Sequence, residues 1–502
     1  MCIRDRLNSG APQCAVWLPE GNAVCYAAGS LVVQHEIESG AQRHLVGHTA
    51  RVCSLALCAG SAALLASGQE GKAPVVRLWL VRSGACVGVL SAHASDLCAL
   101  ALSADGALLA ACGSDAGARQ TVAVWDVTGV RSGGAARLRT SKRTEHHVAQ
   151  LKFCPGPADD ELGLDEERNR LISCGAENVC FWRLKGGTLR HCAADLRGHE
   201  REAFVAIAVD ADVGRNALGS AASRRTFVST ASGKLLQLRV ESRALEFVFQ
   251  LHSAMICAVH LTEAFCVTGA VDGALRVWPL DFSEFLLEAQ HDGPVTCVES
   301  SADGLTILIG VDRVNSLGLM DLSTHRYVTL LRAHQAAVSC AQVDPRRRQF
   351  ATASTDGSVR VWDADSGRQL SEFEATGEVP TVVRYHPTEH ALAAGYASGA
   401  VRVFDVESTS MLHEYRLHAA PIGALAFDGA GGALYSASAD GALVAYDAAR
   451  DYYPMQVYSA PRPGERVSIA LVAPAAAGPR APLGSVAPLS LIHISEPTRR
   501  TP

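Results

Sequence analysis

Histidine and aspartate residues recur along the chain in a pattern that could serve acid–base chemistry, because the unperturbed pKa of histidine lies nearest to neutral pH. Aspartates precede glycine at Asp272, Asp356 and Asp440. Histidines stand near the start of successive similar segments, at His48, His93, His199, His252, His291, His334 and His418. A catalytic group has to occur only once in a site, whereas these residues return in most segments. The repetition therefore favours a structural role over catalysis.

Other patterns that could support catalysis or metal binding are incomplete. His386 and His390 have the i, i+4 spacing of a metal pair, but a zinc site needs further ligands. Cys174 and Cys180 flank a turn, and two core thiols are the simpler interpretation. Residues 68–73 contain Gly-Lys without the spacing of a phosphate-binding loop, and we find no nucleophile-elbow or H-E-x-x-H pattern. We therefore predict no catalytic residue, no metal ligand, no cofactor and no enzymatic activity.

Short strand patterns surround these residues and repeat with a period near forty residues. Gly357, Gly399 and Gly441 follow one another at 42-residue intervals, and each precedes an alternating strand such as 358–364 (SVRVWDA). Five of the six tryptophans fall near the end of such a strand, namely Trp79, Trp125, Trp182, Trp278 and Trp362. Histidine, turn glycine and tryptophan at this period are typical of the WD40 repeat, in which four strands form one blade of a β-propeller. The predicted fold class is all-β, a WD40-repeat β-propeller.

The number of repeats exceeds what one ring holds. Ten units can be counted from Ala11 onward, whereas propellers close with about four to eight blades. We therefore predict two tandem propellers, the second of them incomplete. The first spans 11–291, with an end at 334 as the alternative, and the second spans 292–474. An eleventh unit could begin at 466.

The two ends of the chain do not continue the repeat. Residues 475–488 form a Pro/Ala-rich segment, and residues 1–6 and 489–502 resemble translated adapter sequence. We expect both tails to be non-native and exclude them from the fold. The chain is then expected to be an internal fragment of a longer protein.

The WD40 pattern also implies a hydrogen-bonded network of four side chains within a blade. One unit has suitable residues at His334, Ser354, Asp356 and Trp362. There the aspartate would orient the histidine, and the serine would link the histidine to the indole N–H. A neighbouring unit has a partial set with tyrosine in place of tryptophan, at His418, Ser438, Asp440 and Tyr446.

Three charged segments interrupt the repeat. The first, 130–143, is expected to be a flexible basic insertion, and the second is a basic turn. Their candidate contact residues are Arg137, Arg139, Lys142, Arg143, Arg346, Arg347 and Arg348. The third segment, 159–167, is acidic. Two interpretations stay open, namely solvated loops, or loops whose basic residues bind an acidic partner protein through a salt-screened attraction.

Composition limits the possible classes of protein. The chain has 502 residues, of which 48% are apolar and 19% charged, with a formal net charge of −6. Such a sequence can bury a large core and is not mainly disordered. Its charge predicts neither nucleic acid nor a membrane as partner. Most cysteines lie in apolar strand patterns, and with no signal-peptide pattern this favours a reducing cytoplasm.

Several stretches resemble one family. Residues 265–295, with the run WPLDFSEFLLEA, are similar to the WD repeat-containing protein ninety family, also called proteome-of-centriole protein sixteen, as are 42–57 and 382–405. The start of the 42–57 stretch also resembles the echinoderm microtubule-associated-protein-like family. The resemblance implies a scaffold at centrioles, basal bodies or ciliary microtubules that has no small-molecule substrate. Its partners would be centriolar or ciliary proteins, with tubulin as a further candidate. The family's separate N-terminal microtubule-binding domain has no counterpart in this sequence.

A second function class stays open on the sequence. Propellers often serve as substrate receptors of multisubunit enzymes such as ubiquitin ligases. The two functions differ in their partners, since a centriolar scaffold binds centriolar proteins or tubulin and a receptor binds ligase subunits.

Overall fold

The computed structural model describes residues 13–459, except 20–21, 59–63, 116, 118, 155–169, 211–224, 302, 313–314, 347, 366 and 376. The predictions for 1–6, 159–167, 466–474, 475–488 and 489–502 concern residues outside these ranges. Within them the chain forms forty β-strands and two short 3₁₀ helices, and the strands make ten four-stranded antiparallel sheets. The predicted all-β WD40 fold is confirmed. No helix in the described part is long and apolar enough to span a membrane.

Seven sheets lie between residues 13 and 333, and each consists of four consecutive strands. Sheet 1 comprises β1 (Ala15–Trp17), β2 (Ala23–Ala28), β3 (Leu31–Glu36) and β4 (Gln42–Leu45); sheet 2 comprises β5 (Val52–Cys58), β6 (Leu64–Gln69), β7 (Val76–Leu80) and β8 (Cys86–Leu90). Sheet 3 comprises β9 (Ser95–Leu102), β10 (Leu108–Ser114), β11 (Gln120–Asp126) and β12 (Arg137–Arg143), with a 3₁₀ helix at Thr128–Ser132; sheet 4 comprises β13 (Gln150–Phe153), β14 (Arg170–Gly175), β15 (Asn178–Lys185) and β16 (Thr188–Ala193). Sheet 5 comprises β17 (Phe204–Val209), β18 (Arg225–Thr230), β19 (Lys234–Arg239) and β20 (Ala244–Gln250); sheet 6 comprises β21 (Ile256–Leu261), β22 (Phe265–Ala270), β23 (Ala274–Pro279) and β24 (Leu287–Gln290); sheet 7 comprises β25 (Val295–Ser300), β26 (Thr306–Val311), β27 (Ser316–Asp321) and β28 (Arg326–Arg332).

Three further sheets follow. Sheet 8 comprises β29 (Val338–Val343), β30 (Gln349–Ser354), β31 (Ser358–Asp363) and β32 (Gln369–Glu374). Sheet 9 comprises β33 (Pro380–Tyr385), β34 (Ala391–Tyr396), β35 (Val401–Asp405) and β36 (Ser410–Tyr415). Sheet 10 comprises β37 (Ile422–Phe427), β38 (Ala433–Ser438), β39 (Ala442–Asp447) and β40 (Tyr453–Ser459), with a 3₁₀ helix at Ala448–Arg450.

The turn between the second and third strands of sheet 8 depends on glycine. Gly357 joins β30 to β31 with a backbone φ of 92°, a conformation that side-chain-bearing residues rarely adopt. A Cβ atom at this position would also lie 3.2 Å from the backbone oxygen of Glu378. Glycine is therefore favoured at this turn by its backbone angles, and a Cβ atom would in addition make a tight contact.

The first strands of neighbouring sheets lie side by side through sheets 1 to 7, and β1 lies beside β25. The seven sheets therefore close a ring. At the closing contact, Ala15 and Val24 of sheet 1 share an apolar cluster with Leu308 and Leu317 of sheet 7. The Cys297 thiol donates to the backbone oxygen of Ala15 over 3.4 Å. Among the described residues, sheets 1 and 7 share no strand, so side-chain packing holds this contact together.

Hydrogen bonds from the second residue of a first strand also join neighbouring sheets. The Ser339 hydroxyl donates to the backbone oxygen of Pro380 over 2.9 Å, and the Thr381 hydroxyl donates to that of Ile422 over 2.6 Å. Cys53 makes the corresponding contact from sheet 2 to sheet 3, over 3.1 Å. These bonds set the spacing between consecutive inner strands.

The chain divides into two compact units after Ala333. Sheets 1 to 7 lie in the first unit, and sheets 8 to 10 lie in the second. The boundary between the propellers stays a prediction. We place it between Ala333 and His334, because an end at 291 would separate sheet 7 from the ring that it closes.

Replacing Leu308 by alanine tests the packing of the closing contact. Leu308 is fully buried, so Leu308→Ala should lower the free energy of unfolding by about 2–5 kcal/mol. Leu305→Ala is the matched control, because Leu305 is 54% exposed. Urea denaturation followed by circular dichroism measures both changes. Equal effects of the two substitutions would contradict the packing described here.

Candidate functional site

In sheet 8, a buried histidine, a threonine hydroxyl and a tryptophan are joined by hydrogen bonds. His334 Nε2 lies 2.7 Å from Thr352 Oγ1, and the Trp362 indole N–H donates to the same oxygen over 2.8 Å. His334 Nδ1 lies 3.0 Å from Asp356 Oδ2. The structure thus brings together His334, Asp356 and Trp362, which are three of the four residues predicted for this network.

The prediction that Ser354 is the fourth residue of this network is wrong. Its hydroxyl donates to a backbone oxygen over 3.1 Å and has no bond to the indole. Thr352 and Ser354 point to the same face of the sheet because strand residues alternate, but they are separated by about 6.6 Å along the strand. Thr352 pairs with Arg360 and so lies diagonally opposite Trp362. Ser354 lies two residues further along, at the end of β30, where the Trp362 indole does not reach it.

Sheet 10 has the same arrangement with tyrosine in place of tryptophan. His418 Nε2 lies 2.7 Å from Ser436 Oγ, which lies 3.2 Å from the hydroxyl of Tyr446. His418 Nδ1 lies 3.6 Å from Asp440 Oδ2. The prediction of Ser438 for this network is also wrong. The bonded hydroxyl lies two residues earlier, on Ser436, and the Ser438 hydroxyl donates to a backbone oxygen over 2.8 Å.

A third network in sheet 2 uses glutamine where sheet 8 uses aspartate. His48 Nε2 lies 2.6 Å from Ser67 Oγ, to which the Trp79 indole N–H donates over 2.7 Å. His48 Nδ1 lies 2.9 Å from the amide oxygen of Gln69. The glutamine amide therefore orients the ring without a charge.

Sheet 6 carries a fourth network, built on Thr268. His252 Nε2 and the Trp278 indole nitrogen lie 2.8 and 2.9 Å from Thr268 Oγ1. None of the four central hydroxyls, on Ser67, Thr268, Thr352 and Ser436, was predicted from the sequence. A usable signal exists, because the hydroxyl precedes the aromatic residue by ten positions in three networks and by twelve in sheet 2.

The remaining predicted tryptophans also lie in the core. The Trp182 indole N–H donates to Ser173 Oγ over 2.8 Å, and the Trp125 ring contacts the His93 ring with centroids 6.3 Å apart. All five tryptophans predicted for the blades are buried. Their role in the described structure is packing between sheets.

Burial sets the protonation of these networks. Burial lowers the pKa of His48 and of His252 to about 4, so both rings are neutral near pH 7. Burial would by itself raise the pKa of Asp356, but hydrogen bonds from His334 and Ser358 outweigh it and hold the pKa well below its usual range. The neutral His48 ring is held between the Ser67 hydroxyl and the Gln69 amide, so both of its nitrogens are used within the sheet.

The two other residue pairs with possible chemistry are held apart. Cys174 packs between sheets 4 and 5, whereas Cys180 packs between sheets 3 and 4. His386 Nε2 lies 2.8 Å from a backbone oxygen, and His390 Nε2 lies 2.9 Å from Arg346 Nη1. In the described ranges no group of three or more His, Cys, Asp or Glu side chains is arranged to hold a metal ion.

The basic segment 130–143 was expected to be a flexible insertion, and this is wrong. Its residues 137–143 form β12, the edge strand of sheet 3, paired along β11. Arg139 is 2.6 Å from Asp126 and Arg143 is 3.0 Å from Asp115, so two of the four basic side chains are tied to the sheet. Residues 137–143 form a strand because their backbone pairs with β11, although their side chains show little alternation of apolar and polar residues.

Arg137 and Lys142 complete the basic edge. Neither has a carboxylate partner among the described residues, and Arg137 is exposed. In the second basic segment, Arg346 donates to the backbone oxygen of Thr388 over 2.6 Å and Arg348 is exposed. The predicted Arg347 lies outside the described residues.

Thr352→Val should destabilise the protein, because it leaves the buried His334 and Trp362 nitrogens without their shared hydroxyl. We expect a loss of about 1–3 kcal/mol in the free energy of unfolding. The matched control is Thr355→Val, an exposed threonine near the same strand. Urea denaturation of both variants gives the comparison, and a Thr352→Val effect no larger than that of the control would contradict a central role for this hydroxyl.

Acid should destabilise the ring through His48 and His252. An unfolded histidine titrates near pH 6.5 and these two titrate at about 4, so the unfolded chain binds more protons between these values. The free energy of unfolding should therefore fall as the pH drops from about 6.5 to about 4, by at most about 1.4 kcal/mol per pH unit and histidine. Urea midpoints at several pH values measure this slope.

The double variant His48→Gln/His252→Gln should show a shallower slope than the unmodified chain. His147→Gln is the control, because the His147 side chain is exposed. A slope that the double variant leaves unchanged would show that the buried histidines are not its source.

Two family models match the chain. The model described as "WDR90/POC16, second beta-propeller" matches residues 342–460, and the model described as "WD domain, G-beta repeat" matches residues 84–126. The first match covers sheets 9 and 10 and most of sheet 8. The second covers the last strand of sheet 2 and the first three strands of sheet 3.

Individual relatives extend the match over most of the chain. Centriole proteome protein 16 of Chlamydomonas reinhardtii is 40% identical over 477 residues, which is 89% of this chain and 22% of the relative. WD repeat-containing protein 90 of Xenopus tropicalis is 33% identical over 75% of this chain and 21% of the relative. Echinoderm microtubule-associated protein-like 2 of Mus musculus is 26% identical over 70% of this chain and 52% of the relative.

The chain thus spans less than a quarter of the length of the WD repeat-containing protein 90 and centriole proteome protein 16 relatives. Residues 342–460 thus match the model of the second WDR90/POC16 β-propeller, and most of the chain is similar to WD repeat-containing protein 90 and centriole proteome protein 16.

Proposed function

We propose that this chain is a non-enzymatic scaffold that binds proteins at centrioles and ciliary microtubules and supports centriole structure and cilium assembly. The observation that carries the proposal is the 40% identity with centriole proteome protein 16 over 89% of the chain. That relative's name refers to the centriole. The location proposed for this chain is therefore the cytoskeleton of the centriole, basal body or cilium.

The described side chains support a binding role over a catalytic one. Four of the recurring histidines are used inside the sheets, where they bond to hydroxyls, an amide and a carboxylate. What the fold leaves at its surface are loops and edge strands, which in propellers are the usual places of contact with other proteins.

The positive charge at the edge of sheet 3 favours an acidic partner protein. Arg137 and Lys142 of β12 lie near β16 of sheet 4, which contributes the exposed Arg190. Burial lowers the pKa of His191 on β16, and the nearby charge of Lys142 lowers it further. Charges of one sign on two neighbouring strands favour a partner of the opposite sign. The microtubule-associated relative makes tubulin the first candidate.

Proximity labelling in a ciliated cell tests the proposal. The 502-residue chain, fused to a biotin ligase, should label centriolar proteins and tubulin more strongly than the ligase alone. Labelling of ubiquitin-ligase subunits without centriolar proteins would favour the alternative function, a substrate receptor, and would contradict the scaffold proposal.

A charge variant sharpens this experiment. Arg137→Gln/Lys142→Gln should reduce tubulin labelling severalfold, because long-range attraction to an acidic surface falls with each charge removed. Arg243→Gln/Arg326→Gln removes two exposed charges elsewhere in the same unit and serves as the control. Equal labelling by the two variants would show that β12 is not the contact.

A further inference from the structure

Two cysteines lie side by side at the contact that closes the ring. Cys14 directly precedes β1 of sheet 1, and Cys297 lies in β25 of sheet 7. Their side chains are 0% and 4% exposed, and both belong to the apolar cluster of the closing contact. Because sheets 1 and 7 share no strand among the described residues, a bond between these cysteines would be a covalent link across the closure.

The two thiols share the space that Gly310 of β26 leaves open. A Cβ atom added to Gly310 would lie 3.0 Å from Cys297 Cβ and 3.6 Å from Cys14 Sγ. The Cys297 thiol donates to the backbone oxygen of Ala15, the residue after Cys14, over 3.4 Å. A hydrogen bond also joins the Cys14 and Cys297 side chains. A disulfide, with an S–S bond of about 2.0 Å, therefore needs only a small approach of the two sulfurs.

A second pair of neighbouring cysteines lies within a single sheet. Cys98 Sγ donates to the backbone oxygen of Cys112 over 3.2 Å, and the two residues belong to the paired strands β9 and β10 of sheet 3. The strand ladder already joins these two strands, so a bond between Cys98 and Cys112 would not constrain the ring. This pair serves as an internal control for the closing pair.

The closed ring protects Cys297 from oxidation. A hydrogen bond from Cys14 and burial raise the pKa of Cys297 well above its ordinary value. The thiolate is the form of cysteine that attacks oxidants, so the closed contact keeps Cys297 in its unreactive form. Local opening of a packed contact exposes the groups that it encloses. The pair should therefore react when sheet 1 separates from sheet 7.

We propose that Cys14 and Cys297 form a disulfide bond when the chain is exposed to hydrogen peroxide, and that this bond locks the ring closed. In a reducing compartment such a bond forms transiently and is reduced again by thiol exchange. The inference goes beyond the scaffold role and does not depend on it, because it concerns the ring itself.

The reaction takes place in two steps. In the opened ring, the Cys297 thiolate attacks a peroxide oxygen; an S–O bond forms, the O–O bond breaks and hydroxide leaves, so that Cys297 becomes a sulfenic acid. When the ring closes, the Cys14 thiolate attacks this sulfur; an S–S bond forms, the S–O bond breaks and a second hydroxide leaves. The two thiol protons convert both hydroxides to water, and two electrons pass from the sulfurs to the peroxide.

Peptide mapping of the purified 502-residue chain tests the bond. After peroxide treatment, the remaining thiols are blocked with iodoacetamide in urea, and the chain is digested without reduction. Mass spectrometry should find a pair of peptides joined through Cys14 and Cys297, and a phosphine reductant should separate them. Recovery of both cysteines as blocked or further oxidised residues, without the joined pair, would overturn the proposal.

The rate of the reaction tests its dependence on opening. Leu308→Ala loosens the closing contact and should speed formation of the joined pair severalfold, whereas the exposed Leu305→Ala should leave the rate unchanged. Equal rates in these two variants would contradict oxidation through the opened ring.

Urea denaturation measures the lock. Oxidation should raise the urea midpoint of the chain by about 1 M, because the bond closes a very long loop in the unfolded state. Cys14→Ser and Cys297→Ala should each abolish this rise, whereas Cys112→Ser, which removes the control pair, should preserve it. Circular dichroism identifies any variant that fails to fold, and only folded variants are compared. A joined pair without a rise, or a rise that persists in both closing-pair variants, would overturn the lock.

Discussion

Each four-stranded sheet of this chain has two apolar faces and must pack against a neighbour on both sides. In β10, Leu109 and Ala111 pack towards sheet 2, whereas Ala110 and Cys112 pack towards sheet 4. A single sheet cannot bury both faces, so sheets 1 to 7 extend around a ring until sheet 7 meets sheet 1. Burial of both faces is the requirement from which the repeat, the ring and the exposed edges follow.

The hydrogen-bonded networks are a consequence of that burial. Once a histidine such as His334 and an indole such as Trp362 are enclosed between sheets, their N–H groups need partners. One threonine hydroxyl serves both, and a carboxylate or amide holds the other histidine nitrogen. These side chains fix the third strand against the second and are then not available for catalysis. We therefore expect partner proteins to bind at the edges and loops of the sheets.

Much of this fold could be predicted from the sequence, because the 42-residue period, the turn glycines and the tryptophans each reflect one physical requirement of a blade. Ser354 was chosen in place of Thr352 because residues two apart share a face, and only the pairing register decides which one reaches Trp362. The strand β12 was missed because a polar edge strand lacks alternation.

Imaging the tagged chain in a ciliated cell tests the proposed function most directly. The 502-residue chain, fused to a fluorescent protein and viewed by expansion microscopy beside a centriolar marker, should be enriched at centrioles or along axonemal microtubules. A uniform cytoplasmic signal from a folded, stably expressed chain would contradict the account.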